Sequence, residues 1–308
     1  MVCRGPTVLR YPRPDSARSR HRHFSTRLRN MSNLATPFAS PIWQALARET
    51  DLAAQLICSG ANEIGRADYT NIGRYATAQF GFANGLERLG KLVLTSDSLL
   101  AHGQPLSDKD LRAKGHSLSQ ILDESEMVQI RRSITPQYPR PNHTIAANVL
   151  ASLDDFAAAG RGRYANHASL LGQQSPYEPT RTWWKNVCEP ILIEHYLGTE
   201  REQRAIRDSG AVGQLLDQMG IVLHFHEDGS IITDPSQASL MTHERDITQK
   251  WGRFYSLLHA RWLAELFADL TRVAGYTPGL EFFFGHYERL ATFRVPDSFL
   301  RTRRTWPL

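Results

Sequence analysis

The feature that most constrains this chain is the face carried by residues 68–100. Phe82, Leu86, Leu89 and Val93 recur there at steps of four, three and four, the period of an α-helix with one apolar stripe. Such a stripe has to be buried against other helices. Gly81, Gly85 and Gly90 lie in the same segment. They lower helix propensity but allow a neighbouring backbone to come close. The pattern predicts one long helix over about Asp68–Leu100, ended by His102-Gly103-Gln104-Pro105.

The flanking sequence supplies partners for it. Ser40-Pro41 reads as a helix start, with the helix running to about Cys58 and ending before Gly60. Ser107 and Asp110 resemble a capping pair, and Leu111, Leu118, Ile121 and Leu122 continue a hairpin partner with a break at Gly115. Three prolines between Ile134 and Asn142 mark a loop. Further helices are predicted from Thr144 into Phe156 and Ala159, and over Tyr164–Leu171. Residues 37–172 thus read as a bundle of four or more helices.

A boundary falls near Gly172–Pro179, and helices follow at about Arg181–Leu197 and Glu200–Met219. The period then shortens: Ile221–His226 faces Ile231–Thr233 across Asp228-Gly229, a strong turn signal for a hairpin. A long helix over about His243–Ala274 comes next, a last one is expected near Leu280, and an irregular basic end, residues 294–308, closes the chain. The predicted fold is mainly α: a helical bundle, then residues 173–308 as a second helical region with a small β-hairpin near 221–233.

Charge is unevenly placed. The net +5 of the 308 residues sits in the first 30, which hold eight arginines against Asp15. Residues 31–308 carry 28 basic and 30 acidic side chains, a net of −2. Residues 1–36 read as a disordered basic leader that cannot bury enough apolar surface to fold alone; Met31-Ser32-Asn33 reads as an ordinary start that would make it dispensable, the alternatives being an arginine arm for RNA or DNA and an organellar presequence. The folded part therefore has no global positive field to draw in nucleic acid. Cys3, Cys58 and Cys188 have no paired spacing, which favours a reducing compartment over a thiolate metal site. No window holds 18 clean apolar residues, so no membrane span is expected, and the expected location is cytoplasmic.

The chain has no Walker loop, no dinucleotide fingerprint, no HExxH and no GxSxG, and no cofactor or metal is expected. Three constellations carry possible chemistry. Glu87 and Lys91 are four apart and can pair on a helix, with Arg88 beside them, as a solvated ion pair or as a charged group inside a bundle groove. Arg112 and His116 are also four apart, which would place them on one helical face, yet Gly115-His116-Ser117 also reads as a helix start. Arg161-Gly162-Arg163-Tyr164-Ala165-Asn166-His167 brings two arginines, a tyrosine, an asparagine and a histidine together. Arginine suits phosphate oxygens and histidine can move a proton near neutral pH. The plainer alternative pairs Arg163 with Asp154 or Asp155 and makes His167 structural.

Gly85-Leu86-Glu87-Arg88-Leu89 in a long helix, Lys114-Gly115-His116-Ser117-Leu118 turning into the next, and Arg163-Tyr164 further on resemble the HEPN superfamily of helical bundles. Many members are metal-independent endoribonucleases of toxin–antitoxin and phage-defence systems. Their signature is an arginine, four to six residues, and a histidine, set in a dimer cleft. Arg161 and His167 have five residues between them; Gly162 departs from the polar residue that often follows the arginine. The resemblance implies Arg161 and His167 as catalytic residues. Arg163, Tyr164, Asn166, Glu87, Arg88, Lys91, Arg112 and His116 would bind RNA or ligand. The implied partners are RNA, a second copy, and an antitoxin or other protein. Some members lack catalysis, so the competing function is a silent helical adaptor or regulatory binding protein.

Overall fold

A computed structural model describes residues 36–158, 177–216 and 223–308. The helices are α1 (Pro41–Ile64), α2 (Gly73–His102), α3 (Asp108–Ala113), α4 (Leu118–Arg131), α5 (Thr144–Ala157), α6 (Pro179–Trp183), α7 (Glu189–His195), α8 (Glu200–Leu216), α9 (Pro235–Ala274), α10 (His286–Arg289) and α11 (Asp297–Thr302). A π-helical stretch, Trp184–Cys188, links α6 to α7. The strands β1 (His224–Phe225) and β2 (Ile231–Ile232) form one antiparallel hairpin with His224 opposite Ile232. The fold is the expected helical bundle, followed by helices and a two-stranded hairpin.

The predicted stripe is the centre of the core: Phe82, Leu86, Leu89 and Val93 are each fully buried. α1 and α2 are joined by a seam of small residues. A Cβ on Gly81 would stand 2.8 Å from both the Gly60 nitrogen and the Leu56 carbonyl oxygen, and one on Gly60 would stand 2.9 Å from the Phe82 nitrogen. Backbones meet there because neither glycine has a side chain. This contact explains why α1 continues six residues past Cys58, through Gly60 to Ile64. Packing at Gly60 outweighs the cost of glycine in a helix.

Local chemistry sets many helix starts. Ser107 and Asp110 form a reciprocal capping box on α3. Ser117 accepts from the Gln120 amide at α4. Asp234 caps α9 and Pro235 takes its first position, so this helix starts eight residues before the expected His243. The segment after Leu280 is a 3-10 turn, Glu281–Phe283, and one turn of helix, α10, rather than a sustained helix.

α9 packs on α1, α2 and α5 as well as on α7, α8, α10 and α11. One apolar cluster therefore includes Leu86 and Val93 together with Trp183, Trp262 and Phe267. The end of the described chain returns to α1: Asn62 Nδ2 donates to the Trp306 carbonyl (2.9 Å), and the Trp306 amide donates to Asn62 Oδ1 (2.7 Å). Among the described residues no helix is long and apolar enough to cross a membrane.

Candidate functional site

Four of the residues singled out in the sequence meet at one cleft. It lies between α1, α2 and the segment 105–116, and has a volume of about 510 Å³. Ile42, Leu46, Leu92, Leu99 and Leu111 line it with apolar surface, and Glu49, Glu87, Arg88, Lys91 and His116 add its charged groups. The amphipathic pattern of α2 accounts for this. Its apolar face supplies Leu92 and Leu99, and the next strip around the helix supplies Glu87, Arg88 and Lys91.

The charged groups are tied to one another. Lys91 Nζ donates to Glu87 Oε1 at 2.8 Å, one helical turn away, and to the Gly115 carbonyl at 2.9 Å. Gly115 adopts a left-handed φ of 61°, which glycine alone reaches without strain. This turn swings His116 back over α2, where its Nδ1 lies 3.0 Å from Glu87 Oε2. Arg88 spans to α1 and pairs with Glu49 at 2.6 Å. The Glu87 side chain is only 13 % exposed, so its ion pair is less screened than an ordinary surface pair. Two cations balance two carboxylates, so the cleft has no strong net field.

Arg112 is not part of this group. α3 stops at Ala113, so the helical register that would align Arg112 with His116 is broken at Gly115, and Arg112 is exposed. The helix-start alternative holds instead, since Ser117 caps α4. Arg161, Arg163, Tyr164, Asn166 and His167 lie outside the described residues. Of the carboxylates considered as partners for Arg163, Asp154 is engaged elsewhere. It accepts from the Leu118 and Ser119 amides and from the Ser119 hydroxyl, joining α5 to the start of α4.

A second cluster joins residues that are far apart in the sequence. His143 Nδ1 accepts the Ile145 amide, so its Nε2 donates to Glu194 Oε1 at 3.1 Å. The Tyr255 hydroxyl donates to the same oxygen at 3.4 Å and stands 2.9 Å from His195 Nε2. Burial lowers the His195 pKa, and burial with Glu194 raises that of Tyr255. His195 also stacks on Trp251 at 3.7 Å. These groups satisfy one another and clasp α5, α7 and α9 together. His226 follows the last residue of β1 and rests edge-on against Trp184. Among the described residues no three histidine, cysteine or acidic side chains form a metal-ligating group.

No family model, curated protein or solved structure matches this chain, so the comparisons add no support to the HEPN resemblance.

Proposed function

We propose that this protein is a binding protein whose cleft between α1 and α2 takes a small amphipathic molecule. The observation that carries this reading is the convergence of Glu87, Arg88, Lys91 and His116 on an apolar cavity of about 510 Å³. Concave, largely apolar sites with a few placed polar groups are the usual form of small-molecule sites. The carboxylates there are already paired, whereas the Arg88 guanidinium retains further N–H groups. A head group that accepts hydrogen bonds therefore fits best, such as a carboxylate on an aliphatic body.

Decanoate is a suitable probe. Its chain of about nine apolar carbons is worth about 7 kcal/mol when buried, and association costs about 4 kcal/mol or more. One or two charge-assisted hydrogen bonds add about 2 kcal/mol, which places Kd between about 0.1 and 10 mM. Thr95→Phe, which fills the cleft from α2, is expected to weaken calorimetric binding at least tenfold while the circular dichroism spectrum is unchanged. Equal binding to Thr95→Phe and the parent protein would remove the cleft from consideration. Cleavage of total RNA in EDTA, lost in His167→Gln, would instead support the ribonuclease and move the function to Arg161 and His167.

A further inference from the structure

A different cavity, of about 550 Å³, opens where the end of α1, the start of α8, α9 and the segment 301–305 meet. Six cationic side chains line it, Arg66, Arg201, Lys250, Arg253, Arg301 and Arg304, against one carboxylate, Asp246. That carboxylate is already shared, lying 3.6 Å from Arg201 and 3.5 Å from Arg245. Lys250 and Arg301 lean over the Trp251 ring. The side chains of Arg66, Arg253 and Arg304 make no hydrogen bond or ion pair with any described residue.

Arg253 is the decisive member. It is only 4 % exposed, and its Nε has no partner. Its guanidinium lies against Gly65, where a Cβ would come within 2.4 Å of Nη1. Burial and the nearby charge of Arg304 pull its pKa down to about 10, which still leaves it charged at neutral pH. Buried arginines are ordinarily paired, because an isolated charge away from water is costly. Here the fold brings more positive charge towards Arg253 and no free carboxylate. That arrangement suits an anion that enters from solvent.

We propose that this pocket binds a compact polyphosphate group, as an inorganic chain or the tail of a nucleotide. Arginine forks match phosphate oxygens two at a time. Six cations around one cavity exceed what a single phosphate needs. They also surround a concavity instead of following a surface stripe, which favours a compact ligand over a nucleic-acid backbone. The site shares no lining residue with the cleft described above.

The test is calorimetry and thermal melting of the full chain with tripolyphosphate, ATP and a 20-nucleotide RNA, each at matched ionic strength. Tripolyphosphate is expected to bind below 1 mM and to raise the melting temperature, with sodium chloride giving no such rise. ATP binding as tightly as tripolyphosphate assigns the site to nucleotides, and weaker ATP binding assigns it to inorganic chains. Arg66→Gln with Arg304→Gln removes two exposed side chains and is expected to lower affinity at least tenfold. Gly65→Ala, which displaces Arg253 without removing charge, is expected to lower it as well. Arg253→Met is expected to melt no lower than the parent without ligand, yet to lose the ligand-induced rise. If that variant does not fold, the Arg66/Arg304 pair decides. Thr95→Phe should keep the rise in full. The proposal is overturned if tripolyphosphate gives no shift, if the shift survives in the Arg66/Arg304 variant, or if RNA binds and tripolyphosphate does not compete.

Discussion

Gly81→Ala tests whether the approach of α1 to α2 is set by missing side chains. The new methyl group would lie 2.8 Å from the Gly60 nitrogen and the Leu56 carbonyl oxygen. Both contacts are backbone atoms, so no rotamer change relieves them and the helices must separate. Overpacking of this kind costs about 3 kcal/mol, and alanine recovers about 1 kcal/mol of helix propensity, leaving a loss of about 2 kcal/mol. For a chain of this size that lowers the melting temperature by about 3 °C. The control is Gly210→Ala on α8, an exposed glycine whose added Cβ meets nothing within 4 Å. It keeps the propensity gain and is expected to stabilise by up to about 1 kcal/mol. Urea unfolding followed by far-ultraviolet circular dichroism measures both. If Gly81→Ala is as stable as the parent or more so, the seam does not set the helix spacing. The same result would remove the reason given for the extension of α1 through Gly60.

The other expectations concern buried polar groups. Glu227 is 4 % exposed and burial raises its pKa to about 7; it accepts a hydrogen bond from Tyr75 at 3.1 Å. Because the folded state holds this proton more tightly than the unfolded chain, Glu227 costs stability as pH rises from about 4.5 to 7. Glu227→Gln is therefore expected to gain up to about 3 kcal/mol over the parent at pH 8 and almost nothing at pH 4, measured by urea melts at both. His259 has the opposite sign: burial lowers its pKa to about 4, so its contribution is present above about pH 6.5 and is lost as pH falls towards 4. His259→Gln should flatten that acid-side loss, and an unchanged slope would exclude His259 as its source. Asp154→Ala removes the acceptor of two amides and a hydroxyl at the start of α4; a loss of about 1–3 kcal/mol is expected in the same melts. Cys58 and Cys188 are buried, and burial raises both thiol pKa values. Alkylation mapped by mass spectrometry should find both protected in the native protein and modified in urea.

Much of the fold was legible because its signals are local. The step of four, three and four fixed the buried face of α2, and Asp228-Gly229 fixed the hairpin turn. Helix ends were less legible wherever tertiary contact decides them, as at Gly60. The α2 side of the cleft could be read from the Glu87–Lys91 spacing. Its link to His116 depends on the left-handed turn at Gly115, for which the sequence offered two alternatives. The arginine pocket was hidden for a different reason. Arg66, Arg201, Arg253 and Arg304 come from four separate segments, and each looks like an ordinary surface cation within its own neighbourhood. Only the path of α9 between them turns four unremarkable positions into one site.

The clamp between Asn62 and Trp306 has a consequence for biosynthesis. Its two halves are 244 residues apart. At roughly 5–20 residues per second, a ribosome needs about 12–50 s to make the intervening chain. The α1–α2 hairpin forms on a far shorter timescale, so it emerges with the place for Trp306 unfilled. During that interval the Asn62 side chain lacks both of its hydrogen-bond partners on Trp306. A nascent chain stalled anywhere before residue 306 would leave both hydrogen bonds unmade.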